Sequence, residues 1–265
     1  EGKGLGNEFL SDLSSADAFI HVVDMSGEYD GEGKPTENYY PGNDIKIIEL
    51  ELDKWYFGLM SKVWKSFART IEMQHSNFAE AVAKQFSGLK VDIEHVKHII
   101  LKEKFNVEKP TSWDNNETFR FAQALRKHTK PMIVAANKID RLNGKQNYEK
   151  IKEEFNYPII AFFADGELAL READKADLIS YIPGDKNFEV RKELNEKQKT
   201  ALEKIRKIMN EFGSTGIQEV LNKFIFDILF GVIVQINAKR RIGDNHIKLR
   251  IYLFVKIGFV VTFLT

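Results

Sequence analysis

The 265 residues (30.6 kDa) suffice for one large domain or two modest ones, and 43% apolar with 29% charged residues is the balance of an ordinary soluble globular chain. Lys plus Arg total 39 and Asp plus Glu total 39, so the net charge is zero, which excludes a uniformly basic nucleic-acid coat. With no cysteine, disulfides, thiolate zinc sites, iron–sulfur clusters and cysteine nucleophiles are excluded together, and a cytosolic location is permitted.

Taken in order, the first six residues (EGKGLG) lack the apolar core of a signal peptide, and a chain that opens on Glu1 is expected to begin inside a longer protein. Residues 7–16 read as a short helix with Phe9, Leu10 and Leu13 on one side. Ala18 to Asp24 is a continuous run of strand formers ending in an acid, the pattern of a buried parallel strand. A polar loop, Ser26 to Asn43, is long enough to carry function or to join two parts.

From Asp44 the period becomes helical. Ile48, Leu52, Tyr56, Leu59, Val63, Phe67, Ile71, Phe78 and Val82 predict one helical run of about ten turns, capped by Asn43 or Asp44 and stopped near Gly88. A second helix follows Asp92 and a third starts near Asn115 or Asn116, giving an antiparallel hairpin or small bundle whose aromatic stripe is core packing.

The pattern then returns to alternating elements. Pro131–Ala136 is a strand, followed by a polar helix to about Phe155; Pro158–Ala164 is the next strand, and Glu167–Ala176 the next helix. Two helices follow, Glu196–Phe212 and Thr215–Leu229, with Gly213-Ser-Thr acting as a stop and then a cap. The order implies an α/β fold with a doubly wound parallel sheet, interrupted by the helical segment. The apolar Ile251–Thr265, fifteen residues broken by Lys256, is too short for a membrane span of about 20 residues and reads as one or two buried strands.

Chemistry concentrates at Asn137-Lys138-Ile139-Asp140, at the carboxyl end of a buried strand, where doubly wound sheets bind ligands. The Asp140 carboxylate is suited to accept from the ring N1–H and the exocyclic amine of guanine, whereas adenine has no donors on that edge. Asn137 is expected to tie neighbouring loops and face the base edge, and the Lys138 stem to lie along the base plane. After the next strand, the Ala164 amide is placed to donate to the guanine O6, beside Phe163, where Ser is common in guanine-nucleotide proteins. The competing reading of the tetrapeptide is an ordinary turn rich in Asn and Asp. Gly2, Gly4 and Gly6 do not spell a phosphate loop, and no G-x-x-x-x-G-K-[ST] can be written anywhere in the chain. His95 and His98, three apart on a helix, lack an H-E-x-x-H or carboxylate companion and read as ordinary histidines rather than metal ligands.

The blocks EGKGLGNEFLSDLSSADAFIHVVD, PMIVAANKID, ELALREADKADLISYIPG and EKQKTALEKIRKIMNEFGSTGIQEVLNKFIFDIL resemble the Obg-related YchF subfamily of P-loop GTPases, of the archaeal GTP-binding type, almost continuously from Glu1 to about Leu229. The resemblance implies a GTP- or GDP-binding G domain with Mg2+, interrupted by a coiled-coil helical domain, and a cytoplasmic protein working with ribosomes or translation. On that pattern, residues 1–43 and 131–230 are parts of the G domain, 44–130 the helical insertion, and 231–265 a remnant of a β-grasp-like TGS domain around Ile236–Asp244. Asp140 keeps the guanine-reading form, where some members carry Glu and prefer ATP. Family members begin with a P-loop, switch I and a D-x-A-G motif, all upstream of what is present, so the base-reading half is expected without the phosphate-gripping half, the Mg2+ ligands or hydrolysis of its own. A partial sheet of this kind is expected to leave a strand edge open. The alternative is a non-catalytic module in which the helical and C-terminal parts bind ribosome, RNA or protein. Charge is uneven in its favour: −8 over residues 1–44, +4 over 45–130, −1 over 131–230 and +5 over 231–265.

Overall fold

The computed structural model describes residues 16–229, together with the backbone of 251–255 and 259–263. The helix expected over 7–16, the three early glycines and the TGS-like Ile236–Asp244 lie outside the described residues. Among those described, no helix is long and apolar enough to cross a membrane.

The sheet is built on β1 (Phe19–Asp24), β2 (Met132–Asn137) and β3 (Ile159–Ala161), all parallel, in register Phe19↔Met132 to Asp24↔Asn137 and Val134↔Ile159 to Ala136↔Ala161. Both faces of β1 and β2 are buried, as their unbroken apolar runs require. Phe19, Val23, Met132, Val134 and Ala136 enter one core; Ile20, Val22, Ile133 and Ala135 enter the other, against Val220 and Phe224. The C-terminal apolar segment forms two strands, β6 (Ile251–Val255) and β7 (Phe259–Phe263), giving the order β3-β2-β1-β6-β7. β6 runs parallel to β1 from Phe19↔Tyr252 to Val22↔Val255, so β1 has a strand on each side. A small antiparallel pair, β4 (Ile179–Ser180) and β5 (Glu189–Val190), has no counterpart in the sequence expectation.

Between β1 and β2 stand α1 (Gly42–Gln74), α2 (Phe78–Gln85), α3 (Ile93–Glu103) and α4 (Asn115–Thr129). The single ten-turn run is therefore two helices. His75 takes a left-handed conformation (φ 48°) that closes α1, and the Asn77 side chain accepts from the Glu80 amide at 3.2 Å to open α2. The start also shifts: Pro41, whose ring fixes φ at −65°, sits at the N-cap, and Asp44 lies inside the first turn accepting from the Tyr39 hydroxyl at 2.8 Å. Gly88 falls in a 3-10 turn (Ser87–Leu89); α4 starts at Asn115 as expected, capped by Asp114 through a reciprocal box with Glu117.

The buried face of α1 runs through Tyr56, Met60, Trp64, Ala68 and Ile71, with Leu59, Val63 and Phe67 on its half-buried flank. Trp64 stacks on Trp113 at 4.9 Å between ring centres, and Phe78, Phe105 and Phe121 close around Trp113. This aromatic core is separate from those of the sheet.

After β2 come α5 (Gly144–Glu154), α6 (Ala164–Lys175), α7 (Glu196–Phe212) and α8 (Ile217–Asn222), the last continuing as a π-helical turn over Lys223–Leu229. β3 ends at Ala161, three residues earlier than expected, because the chain turns there: the Phe162 amide still bonds to Ala136 O, but the Phe163 amide bonds to Thr215 O. α7 is boxed by Asn195 and Gln198 and closed by Gly213 in the left-handed region. The cap of α8 is Gly216 rather than Thr215, whose hydroxyl is used elsewhere.

Candidate functional site

In a parallel sheet all strand carboxyl ends share one edge. Here that edge carries Asp24 from β1, Asn137 from β2 and the turn after β3, and Asp24 lies directly across from Asn137. The backbone locks the two ends together, since the Met25 amide donates to Asn137 O at 2.8 Å and the Asn147 side chain of α5 donates to Met25 O at 2.8 Å.

Lys138 follows in the left-handed region at φ 61°, uncommon for a residue with a side chain. Its ammonium donates to Asp24 Oδ2 at 2.7 Å and sits 5.2 Å from the centre of the Tyr29 ring. Burial pushes the Asp24 carboxyl up, but the bonds from Lys138 and from Ser26 outweigh it, and the group is held below the usual carboxylate range. α5 starts close against this turn, since a Cβ on Gly144 would lie 2.5 Å from Lys138 O.

Asn137 Oδ1 accepts from the Ala164 amide at 3.2 Å. The expected tie between neighbouring loops is therefore made, and its partner is the same amide expected to face a base oxygen. The Asp140 side chain is only 6% exposed; Lys204 Nζ of α7 lies 3.3 Å from its Oδ2 and Arg141 Nε 3.9 Å away. Phe163 does not line the edge. Its ring is buried with Ile139, Leu170 and Tyr181, and so supports the loop from beneath.

Behind the turn stands a polar hub. Glu167, 3% exposed, accepts from Thr215 Oγ1 at 2.6 Å, from the Tyr181 hydroxyl at 2.7 Å and from Arg171 Nε at 2.6 Å. Thr215 O in turn holds the Phe163 amide at 2.9 Å, next to Ala164. At Gly216 (φ 85°) the chain passes so near β3 that a Cβ would lie 2.0 Å from Ala161 O, leaving glycine alone able to fit.

The structure thus brings Asn137, Lys138, Asp140 and Ala164 to one edge and sets Phe163 below it. Asp24 was visible as the acid ending its strand. Lys204 and Thr215 carry no local signal, because they come from a distant helix and turn, and Glu167, within the first turn of α6, acts from behind the edge. Among the described residues no group of three or more histidines or carboxylates is arranged to hold a metal. His95 and His98 do meet a third histidine, His128 of α4, with ring centres 6.2 and 4.9 Å apart.

Residues 135–235 match the family model of the Obg-like GTPase YGR210-like, G4 motif-containing domain. A protein of Methanocaldococcus jannaschii described as an uncharacterized GTP-binding protein is 40% identical over 235 residues, covering 88% of this chain and 59% of that protein. The crystal structure of a GTP-binding protein from Pyrococcus horikoshii superposes with a TM-score of 0.68 at 37% identity, covering 83% of this chain and 60% of that one. The ribosome-binding ATPase YchF of Bacillus subtilis is 30% identical over 162 residues, 58% of this chain and 40% of that protein. The chain therefore spans between 40% and 60% of the length of these relatives.

Proposed function

As a relative of the Obg/YchF GTPases, the chain is one for which we propose a guanine-nucleotide-binding function, with residues 137–140 and the turn at Ala164 receiving the base. The observation that carries this reading is Asp140: a carboxylate with only 6% side-chain exposure at the carboxyl edge of a parallel sheet, on the same loop as an Asn137 that fixes the neighbouring turn. Its two oxygens match the N1–H and exocyclic amine of guanine, while adenine would leave them desolvated and unpaired. Lys138, held by Asp24, gives the loop a fixed shape and offers its stem to the base plane.

Phosphate recognition and Mg2+ belong to the same reading through the family likeness. The described residues include no cluster fit for a metal, and no step is assigned to one. Since residues 1–265 spell no G-x-x-x-x-G-K-[ST], these residues by themselves are expected to recognise the base with little hydrolysis. The domain plan carries over as a proposal: G-domain parts at 1–43 and 131–230, a helical insertion at 44–130, and a TGS-like remnant at 231–265.

Thermal unfolding in the presence of GDP and of ADP tests the reading. GDP is expected to raise the midpoint more than ADP, and Asp140→Glu to shift the preference towards the adenine nucleotide. Equal shifts for both nucleotides in the wild-type chain refute it. A second reading, a non-catalytic module for ribosome, RNA or protein, draws support from the net +4 of residues 45–130 and from the separate aromatic core of that segment. It is favoured instead if neither nucleotide stabilises the chain while RNA does.

A further inference from the structure

Asp140 is the residue a guanine edge would address, yet one of its oxygens is already engaged. Lys204 Nζ lies 3.3 Å from Asp140 Oδ2, and Arg141 Nε stands off at 3.9 Å. No other hydrogen bond reaches this carboxylate among the described residues, although it is 94% shielded from solvent. A carboxylate so placed gains from a nearby counter-charge when no ligand is present. The lysine is of the opposite kind: its side chain is 60% exposed on α7, in the middle of a helix whose other face packs in the core.

We propose that Lys204 is the displaceable counter-ion of the base site, covering Asp140 while the site is empty and leaving when a guanine edge arrives. The inference rests on the base-site reading given above. Two features make the exchange feasible. An exposed ammonium returns to water at small cost, because a surface ion pair is weak. A guanine brings two N–H donors, one for each carboxylate oxygen, so the oxygen the ammonium vacates gains a new partner. Adenine presents an acceptor and a C–H on that edge and cannot replace the ammonium. Lys204 therefore opposes every base, and only a base carrying donors repays its removal. Specificity at this site is then shared between the carboxylate that reads the base and the cation that must yield to it.

The test uses guanosine and adenosine, which are neutral, so that any salt dependence arises in the protein. Binding to the 265-residue chain is followed by NMR titration at about 0.02 M and about 0.3 M salt, where the screening length differs severalfold. Lys204→Met is expected to bind guanosine about two- to five-fold more tightly than wild type at low salt, the scale of an exposed ion pair. Wild-type affinity should rise with salt as the pair is screened, Lys204→Met should be insensitive to it, and Lys204→Arg should follow wild type. Guanosine preferred by both proteins but bound no tighter by Lys204→Met overturns the exchange and leaves the base site standing. No preference between the nucleosides in either protein removes the base-site reading and the exchange with it.

Discussion

Arg126 Nε lies 2.7 Å from Asp53 Oδ1, with both side chains closed off from water at 1% and 2% exposure. The pair joins α1 to α4 at the root of the helical segment. Gln123 donates to the second Asp53 oxygen at 2.6 Å, Arg126 Nη2 reaches Glu49 at 3.5 Å, and the Tyr157 hydroxyl just before β3 donates to the same Glu49. The network fixes the insertion to the sheet through geometry as much as through energy, since burying two charges recovers little net stability.

Breaking this pair on one side should be severe. Asp53→Ala strands a guanidinium that Glu49 compensates only in part, and a loss of about 3–5 kcal/mol is expected from urea unfolding. Asp53→Leu combined with Arg126→Met should cost clearly less than the sum of the single changes. Additive losses would show that the two side chains act independently.

Glu167 gives a pH prediction. Burial pushes its carboxyl up, but the bonds from Thr215, Tyr181 and Arg171 outweigh burial and hold it below the ordinary value of 4.5. The folded chain therefore binds fewer protons here than the unfolded one as acidity approaches that value. The stabilisation is complete above the unfolded pKa and is lost as the pH falls through the folded one. Glu167→Gln should cost about 1–3 kcal/mol at neutral pH. It should also flatten the decline of the urea midpoint below about pH 5, because the site no longer titrates. An acid limb identical to wild type would contradict this.

Gly216→Ala tests the close passage of α8 against β3. With φ at 85° and Ala161 O at 2.0 Å from the added methyl, either Thr215 or β3 must move. A loss of more than about 1 kcal/mol in stability is expected. Because Thr215 O holds the Phe163 amide, the Asn137–Ala164 contact should loosen too, seen as faster amide exchange at Ala164. A variant that unfolds at the wild-type midpoint would refute the steric reading.

Much of this arrangement was legible in the chain itself. β1 and β2 announced themselves as apolar runs, and the helical segment between them by its period. The loop 137–140 followed from its place after a strand, and the strands at 251–263 from their β-branched and aromatic content. What escaped depended on single backbone events that periodicity averages away. The left-handed His75 divides a continuous apolar stripe, Pro41 overrides Asn43 as a cap, and the Thr215 hydroxyl caps nothing because Glu167 takes it. At the site, Lys204 was invisible for another reason. A charged residue on an amphipathic helix looks the same in sequence whether it meets water or a carboxylate from a loop some sixty positions away.

The placement of four helices between two strands that pair residue for residue also bears on the order in which the chain acquires its shape. Phe19 cannot meet Met132 until everything from Asp24 to Lys130 has been drawn into a closed loop, an entropic cost incurred before any ladder bond repays it. The helical segment has its own aromatic core, in which Trp64 of α1 stacks on Trp113 just before α4, so it is equipped to form as a unit of its own. Once folded, with Arg126 and Asp53 engaged, it carries the start of β2 back to the base of the sheet. The insertion then acts as a splint: it converts the slowest step of assembling a parallel sheet into the docking of two ends already held near one another.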